Sequence, residues 1–342
     1  MCELLALSFN TSVNFKLSIK AFRRRGERNP DGWGITPYPD RAALVIKEPA
    51  SSAESELLEF LAGYGGLRSK ILIAHVRWAS AGSVAYRNTH PFLRELNGRE
   101  YVFAHNGTLH GFRRLELGRF RPVGETDSEY IFCYLLAEME RRGVDRWRRE
   151  DFEWLHGKLG ELDGLGTLNC LLSDGEYLFA YHDAGGYNGL HYVWRAAPFP
   201  RVRLADEDFE VNLQELKEPG ERGYVIATRP LTDEEWLSFT PGELIAFKNG
   251  MIVYRSSMPE LSTRELEVLR FIRRSPHRVS LRAIADGCSM PIGEARDAVR
   301  RLLSKGLIRQ DSRDRVGWSY EDATFYTNPH IRSRIDQAIR AG

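Results

Sequence analysis

Met1-Cys2-Glu3-Leu4-Leu5-Ala6-Leu7 opens the chain and places a cysteine at its second position. Because this side chain is small, methionine aminopeptidase can remove Met1, and Cys2 would then carry both a thiol and a free α-amine. Thiols titrate near pH ~8.5 and α-amines near ~8, so the two groups can act as a nucleophile and its base close to neutral pH. The alternative is structural: free cysteine is among the most buried residue types, and Cys2 would simply begin a buried strand.

The length of 342 residues exceeds the ~250–300 at which single hydrophobic cores stop growing, so two domains are expected. No apolar run is long enough to span a membrane, and no signal peptide is recognisable. The cysteines are far apart and form no CxxC motif: Cys2, Cys133, Cys170 and Cys288. We therefore expect no disulfide framework, no metal site and no cofactor, and a reducing, cytoplasmic setting.

The two parts of the chain differ in charge. Residues 259–342 contain 16 lysines and arginines against 11 aspartates and glutamates, a net charge of +5, whereas residues 1–258 carry −4 and the whole chain +1. A mildly acidic body with a basic tail suggests two functions.

Apolar segments alternate with turn signals through the first 258 residues. Asp174-Gly175 and Asn249-Gly250 each lie between two apolar segments, a pattern typical of β-hairpins. Before both hairpins in the sequence, apolar residues recur at helical spacing from Ser128 to Met139. Hairpins around a helical middle predict an α+β fold with antiparallel sheets for residues 1–258.

The pattern changes after Ser257-Met258-Pro259. Ser262-Thr-Arg-Glu265 is a capping box before a first helix, residues 280–286 form a short second one, and residues 291–306 form a third. Polar residues then lead to Gly317-Trp318, where we expect a β-wing. Residues 259–342 are therefore predicted to be a small winged-helix (helix-turn-helix) domain that folds by itself.

His75-Val-Arg-Trp-Ala-Ser80 ends an apolar strand. The arginine in this motif, Arg77, can present its planar guanidinium to a carboxylate through two hydrogen bonds. The alternative is a structural ion pair at the end of the strand.

Two further motifs contain histidine and asparagine. Asn88-Thr-His-Pro91 indicates a rigid turn and says little alone. His105-Asn-Gly107 has the commonest tight-turn dipeptide, but the Asn106 amide and the Gly107 backbone N–H could also donate to a developing oxyanion.

Thr126-Asp-Ser-Glu129 begins the middle helix and is a capping box. Asp127 is favoured there by the helix dipole, and it is also a fixed carboxylate that could hold an ammonium group. The structural and functional interpretations are compatible, because a capped helix end is a rigid position for a charge.

One substrate class satisfies these motifs together. Arg77 suits an α-carboxylate, Asp127 suits an α-ammonium, and Cys2 could attack a side-chain carbonyl whose oxygen accepts from Asn106 and Gly107. Glutamine or a γ-glutamyl compound fits this set. Phosphate-binding loops, dinucleotide-binding motifs and H-E-x-x-H zinc motifs do not occur in the sequence.

The set resembles the class II glutamine amidotransferases, the Ntn-type family with an N-terminal cysteine nucleophile, and within it the stand-alone YafJ-like branch. The likeness covers about residues 1–255. It rests on these segments: Met1–Leu5, Asp31-Gly-Trp-Gly-Ile35, Asn88-Thr-His-Pro-Phe92, Ala104-His-Asn-Gly107, Arg121–Glu129, Leu171-Leu-Ser-Asp-Gly175 and Ala196-Ala-Pro-Phe199.

The resemblance implies a four-layer αββα sandwich and a role for each matching residue. Cys2 would be the nucleophile, and Asn106 and Gly107 would form the oxyanion hole. The substrate would be bound by Arg77, Trp78, Ser80 and Asp127, with Ser80 standing where many members have threonine. His90 would support the site, as would Arg28, although Asn29 replaces the glycine that follows this arginine in the family.

The resemblance also bears on partners. Members that make a product carry a synthase domain that receives the released ammonia, and residues 259–342 are too few for one. The acceptor would be a separate protein, or the enzyme would simply hydrolyse a γ-glutamyl amide.

The tail carries a basic stripe on its third helix: Arg296, Arg300, Arg301 and Lys305. Such a stripe could contact DNA phosphates. It could equally be the solvated face of a dimerisation or docking module. The leading hypothesis for the whole chain is thus a glutamine or γ-glutamyl amide hydrolase, and the alternative is a DNA-binding regulator that senses a γ-glutamyl ligand.

Overall fold

The computed structural model describes residues 1–206, 209–311 and 323–341. The wing expected at Gly317-Trp318 lies outside the described residues.

Residues 1–258 form the predicted α+β body. Its strands are β1 (Glu3–Asn14), β2 (Trp33–Pro37), β3 (Ile46–Glu48), β4 (Arg68–Val76), β5 (Phe92–Leu96), β6 (Arg99–Leu109), β7 (Gly166–Ser173), β8 (Tyr177–Tyr181), β9 (His191–Ala196), β10 (Arg201–Arg203), β11 (Glu210–Asn212), β12 (Arg222–Ala227), β13 (Leu237–Ser238), β14 (Leu244–Lys248) and β15 (Met251–Arg255). Its helices are α1 (Lys16–Arg23), α2 (Glu56–Gly63), α3 (Asp127–Arg142), α4 (Arg149–Asp163) and the short α5 (Leu213–Leu216).

Two antiparallel sheets organise these strands. The first has the order β13-β9-β12-β1-β4-β2-β3, and the second has the order β15-β14-β8-β7-β6-β5. Both hairpins predicted from sequence are present, since β7 pairs with β8 around Asp174-Gly175 and β14 pairs with β15 around Asn249-Gly250.

The two sheets pack face to face, and helices cover their outer faces. Alternate residues of β1 show this: Leu4 and Ala6 lie in the core between the sheets, whereas Leu5 and Leu7 face the core beneath α1 and α2. A third core joins the outer face of the second sheet to α3 and α4. The order helices, sheet, sheet, helices is the αββα sandwich predicted from the sequence.

The described part of the tail has the predicted three-helix core: α6 (Thr263–Arg274), α7 (Leu281–Gly287) and α8 (Ile292–Ser304). Around it lie β16 (Val279–Ser280), β17 (Ile308–Asp311), β18 (Thr324–Thr327) and a further helix, α9 (Arg332–Ala341). The capping box is confirmed, because Ser262 and Glu265 exchange side-chain-to-backbone hydrogen bonds. Three helices with a small β16-β18-β17 sheet form a winged-helix fold.

The tail packs against the body through buried polar contacts. Arg255, at the end of β15, is 1% exposed and forms an ion pair with the fully buried Glu243 (2.7 Å). The same guanidinium donates to the carbonyl oxygen of Lys305 at the end of α8 (3.0 Å). Asn328 donates to the carbonyl oxygens of Ile252 in the body (2.9 Å) and Gly306 in the tail (2.7 Å). The division at residues 258 and 259 remains a prediction, and the two parts share this interface.

We predict that Glu243→Gln destabilises the protein by about 3–5 kcal/mol, because it leaves the Arg255 charge buried without its partner. Urea unfolding followed by circular dichroism measures the effect. The control is Glu140→Gln, which removes an exposed partner of Arg119 and should cost below about 1 kcal/mol. Equal effects of the two substitutions would contradict the assigned importance of the buried pair.

Candidate active site

Cys2 lies at the start of the central strand β1, directly before Glu3 pairs with Val76 of β4. Its thiol donates to the carbonyl oxygen of Trp78 (3.2 Å) and accepts from the Trp78 backbone N–H (3.1 Å). Burial raises the pKa of the Cys2 thiol, although the Trp78 N–H, the chain N-terminus and Arg77 act in the opposite direction. Activation therefore requires a base beside the sulfur.

Asn106 lies on β6 of the second sheet and reaches across to the first. Its amide Nδ2 donates to the carbonyl oxygen of Cys2 at 2.6 Å. The neighbouring Gly107 has no room for a side chain, because a Cβ there would lie 2.0 Å from the carbonyl oxygen of Thr167. Asn106, one of the two expected oxyanion donors, thus contacts the residue of the expected nucleophile, and Gly107 follows it on β6.

Arg77 is buried, and its guanidinium is directed toward the loop that follows it. It donates to the carbonyl oxygens of Ser83 (3.1 Å), Ala81 (2.8 Å) and Gly82 (3.3 Å). Burial lowers the pKa of Arg77, with Cys2 and Asp31 opposing that shift. In this arrangement the guanidinium fixes the loop of residues 81–83 beside the site.

Asp127 is the first residue of α3 and is also buried. Its carboxylate accepts from the backbone N–H of Leu109 (2.8 Å) and from that of Ser128 (2.9 Å). The capping residue Thr126 accepts from the Glu129 N–H, which is one half of the predicted capping box. The other half was wrong, because the Glu129 carboxylate accepts from the N–H groups of Val123 and Gly124. The carboxylate therefore ties α3 to the end of β6, just beyond Gly107.

Ser80 and Trp78 lie on the loop between β4 and the Asn88 turn. The Ser80 hydroxyl accepts from Thr108 Oγ1 (3.3 Å), next to Gly107. Trp78 has half of its side chain exposed (51%), although its backbone holds the Cys2 sulfur. The loop thus contacts both the nucleophile and the oxyanion strand.

Comparison with known proteins identifies the family. Residues 1–268 match the family described as class-II glutamine amidotransferases. The chain belongs to the class-II glutamine amidotransferases. It is 40% identical over 256 residues to YafJ of Escherichia coli K12, which is named as a candidate glutamine amidotransferase, and the match covers 73% of this chain and 98% of YafJ.

Other relatives extend the comparison. An uncharacterized protein of Methanocaldococcus jannaschii is 48% identical over 99% of this chain and 97% of its own length, so it shares the tail as well. A crystal structure from Pseudomonas aeruginosa, described as a predicted glutamine amidotransferase, superposes with a TM-score of 0.56 at 33% identity. It covers 74% of this chain and 100% of that one. Residues 263–312 match the IclR helix-turn-helix domain.

Three buried histidines lie behind the amidotransferase site. His75 and His90 stack with ring centroids 4.2 Å apart, and among the described residues their ring nitrogens have no hydrogen-bond partner. His105 bonds to Ser128 Oγ (2.9 Å) and to the Thr167 carbonyl oxygen (3.1 Å). Burial lowers the pKa of His75 to about 3 and that of His90 well below its ordinary value, so both rings are neutral near pH 7.

The segment around Arg28 differs from expectation. Arg28 is exposed, and in the described ranges no hydrogen bond or ion pair is found for its side chain. Asn29 is the residue that contacts the N-terminus: it is buried, its Oδ1 accepts from the Met1 ammonium (3.1 Å), and its Nδ2 donates to the Arg25 carbonyl oxygen (2.9 Å). The segment therefore contributes an amide to this site, where the resemblance suggested a guanidinium.

Asn188 was missed by the sequence analysis. Its Nδ2 donates to the Cys2 carbonyl oxygen (3.1 Å), beside the contact from Asn106. Asn169 holds the turn before it by donating to the Tyr187 carbonyl oxygen (2.6 Å), and Asp183 accepts from the Tyr187 N–H (3.0 Å). Asn188-Gly189 looks like an ordinary turn in the sequence, so only its position could reveal this contact.

One residue of the basic stripe of the tail is held inside the protein. Lys305 pairs with the buried Glu265 (2.5 Å) and donates to the Glu260 carbonyl oxygen (2.8 Å). Arg301 pairs with Glu235 of the body at the surface (3.5 Å), and Arg300 lines a groove that also contains Glu235. Arg296, Arg300 and Arg301 are all exposed.

In the described ranges, no helix is long and apolar enough to cross a membrane. Within the same ranges, no group of three or more histidine, cysteine or acidic side chains is arranged to bind a metal.

We predict that Arg77→Lys and Asp127→Asn each raise KM for the amide substrate. Arg77→Lys keeps the positive charge but loses the planar guanidinium that would bind the substrate carboxylate, and Asp127→Asn loses the negative charge that would bind the substrate ammonium. Steady-state glutamate release measures KM and kcat. The control is Arg87→Lys, on the exposed ion pair with Glu125 at the same rim, which should change neither. Lower thermal stability with unchanged kinetics would mean that Arg77 and Asp127 only fix the loop and the helix.

The neutral histidine pair predicts a pH effect on stability. In the folded protein the pKa of His75 lies below its ordinary value of 6.5. The contribution of the neutral His75 ring to the free energy of unfolding is therefore complete above pH 6.5 and is lost as the pH falls toward 3. Between those limits the free energy of unfolding of the wild type should fall by about 1.4 kcal/mol more per pH unit than that of His75→Phe, because phenylalanine cannot be protonated. Urea unfolding at several pH values gives both curves, and parallel curves would contradict the prediction.

Proposed function

We propose that this class-II glutamine amidotransferase releases ammonia or an amine from glutamine or a γ-glutamyl amide, through a γ-glutamyl thioester on Cys2. The observation that carries the proposal is the meeting of the two sheets at Cys2, where the Asn106 amide lies 2.6 Å from the carbonyl oxygen of the nucleophile's own residue. The contact brings the amide proposed to stabilise the oxyanion to the residue proposed to carry the nucleophile.

The proposed reaction begins with removal of Met1. The α-amine of Cys2 then takes the thiol proton, and the sulfur attacks the γ-carbonyl carbon of the substrate. The carbonyl oxygen becomes an oxyanion and accepts from Asn106 Nδ2 and the Gly107 N–H, and the departing amine receives the proton from the α-amine. Water then attacks the thioester and releases glutamate.

Arg77 and Asp127 are proposed to bind the two charged ends of the substrate. Both side chains now hold backbone groups of the site, Arg77 through three carbonyl oxygens and Asp127 through two N–H groups. A substrate carboxylate would compete with neutral carbonyl oxygens for the Arg77 guanidinium, and a charged acceptor forms the stronger hydrogen bonds. Trp78 and Ser80 would line the entrance.

The fate of the nitrogen distinguishes two versions of the function. In the first version, the released ammonia passes to a partner protein that accepts it. Without one, the enzyme is a γ-glutamyl amide hydrolase. We place either activity in a reducing, cytoplasmic compartment, because the nucleophile is a free thiol.

We predict that Cys2→Ala abolishes glutamate release and that a preparation which retains Met1 is equally inactive, because its Cys2 nitrogen is an amide and cannot act as a base. Intact mass spectrometry establishes the processing state, and a screen of glutamine and γ-glutamyl amides measures the release. Cys2→Ser is the matched control for folding. Full activity with Met1 attached would exclude the α-amine as the base.

A DNA-binding regulator is the second candidate, and the match of residues 263–312 to the IclR helix-turn-helix domain favours it. Arg296, Arg300 and Arg301 are all exposed on α8, and Arg301 forms an exposed ion pair with Glu235 of the body (3.5 Å). On this proposal, phosphate contacts would come from this exposed face. Glu235 would compete with DNA phosphate for Arg301.

We predict that the full chain binds duplex DNA with an affinity that falls with salt, and that Arg300→Ala reduces the slope of log K against log salt by about one unit per lost phosphate contact. Glu235→Gln should strengthen binding by releasing Arg301. Arg274→Ala is the control, since it removes an exposed charge from α6, outside the basic stripe. Absence of binding at low salt, both for the full chain and for residues 259–342, would favour a docking or dimerisation role.

A further inference from the structure

A cavity of about 70 Å³ lies between the body and the tail, remote in sequence from the residues of the amidotransferase site. It is lined from the body by Trp194, Arg222, Tyr224, Met251 and Ile252, and from the tail mainly by Leu303, Arg309, Gln310 and Tyr326. One water molecule needs about 10–15 Å³ measured in this way, so the cavity has room for a small organic molecule.

The described part of the lining carries charge of one sign. Arg222 on β12 and Arg309 on β17 both line the cavity, and the described residues that line it include no aspartate or glutamate. Two arginines on the described lining favour an anion.

Buried polar atoms on this lining lack partners. Arg309 Nε and Nη2 are both buried and form no hydrogen bond within the described part of the chain, and the same holds for Gln310 Oε1. Nε and Nη2 are the edge of a guanidinium that binds a carboxylate or phosphate through two parallel bonds. Burial lowers the pKa of the half-buried Arg309, and the Tyr326 side chain opposes the shift.

The remaining walls are apolar and aromatic. Trp194 and Tyr224 lie with ring centroids 4.9 Å apart, and the Tyr224 hydroxyl is already used in a bond to the Leu303 carbonyl oxygen (3.2 Å). Met251 and Ile252 complete the body side. These surfaces suit a ring or a short hydrocarbon chain, as small-molecule sites generally combine apolar walls with a few polar groups.

We propose that this interdomain cavity binds a small organic anion that has one carboxylate or phosphate group and an apolar body. The anionic group binds to Arg309 and Arg222, and the apolar body packs against Trp194 and Met251. The ligand therefore contacts both parts of the chain at once. Because it binds only when the tail is docked, it stabilises the docked arrangement by mass action.

Isothermal titration calorimetry on the full chain tests the proposal with matched probes. Benzoate and phenyl phosphate carry the anionic group on an aromatic ring, and they represent the two sources of the anion. Benzylamine has the ring with the opposite charge, and inorganic phosphate has the charge without the ring. We expect at least one of the first two to bind, and neither of the last two to match it.

Variants assign the binding to this cavity. Arg309→Met should weaken binding about tenfold or more, as expected for loss of charge-assisted hydrogen bonds. Arg222→Met serves the same purpose if Arg309→Met does not fold. Arg274→Met removes an exposed charge elsewhere on the tail and should leave binding unchanged.

Three outcomes would overturn the proposal. The first is the absence of binding by both benzoate and phenyl phosphate. The second is binding that survives both arginine substitutions, because the ligand would then occupy another site such as the one at Arg77. The third is equal affinity for inorganic phosphate and phenyl phosphate, because the apolar walls would then contribute nothing.

Discussion

The antiparallel pairing of β1 with β4 and β12 is the constraint on which the rest of the structure depends. Leu5 lies opposite both Ala74 and Ala227, so segments from the two ends of the body meet at one strand. The strand is buried on both faces along Glu3–Phe9, and its alternating residues contribute to two of the cores of the body. Cys2 directly precedes this strand, so the position of the nucleophile is fixed by a strand that is buried on both faces.

The second sheet completes the site because it carries the oxyanion strand to the end of β1. Asn106 and Asn188 both donate to the Cys2 carbonyl oxygen, and they come from segments that are 82 positions apart in sequence. Asp127 holds the end of that strand against α3. The side chains of Asn106, Asn188 and Asp127 thus each bind a backbone group in the resting protein. The proposed chemistry uses groups that the fold has already buried and oriented, which reduces reorganisation during the reaction.

The sequence was most informative where local patterns and chemistry coincide. The hairpins, the capped helices and the contact of Cys2 with Asn106 could be predicted, because each depends on a short motif or on a set of motifs that share one ligand. Asn188 could not, since its dipeptide resembles a common turn and its contact depends on tertiary structure. Lys305 lies at DNA-binding spacing on α8, but its charge is neutralised by Glu265, forty residues earlier. Helical periodicity identifies a face of a helix, whereas only the packed structure identifies what covers it.

The long separation between the paired strands also sets an order of events during synthesis. The proposed mechanism requires the bond between Met1 and Cys2 to be cut, and that bond lies directly before the paired part of β1. β1 cannot complete its sheet until Ala227 has been made, which takes roughly 10–45 s at the ~5–20 residues per second of translation. Until then one edge of β1 has no partner strand, even if β4 has already paired with the other edge next to Cys2. The sheet that positions the nucleophile is therefore completed only late in synthesis.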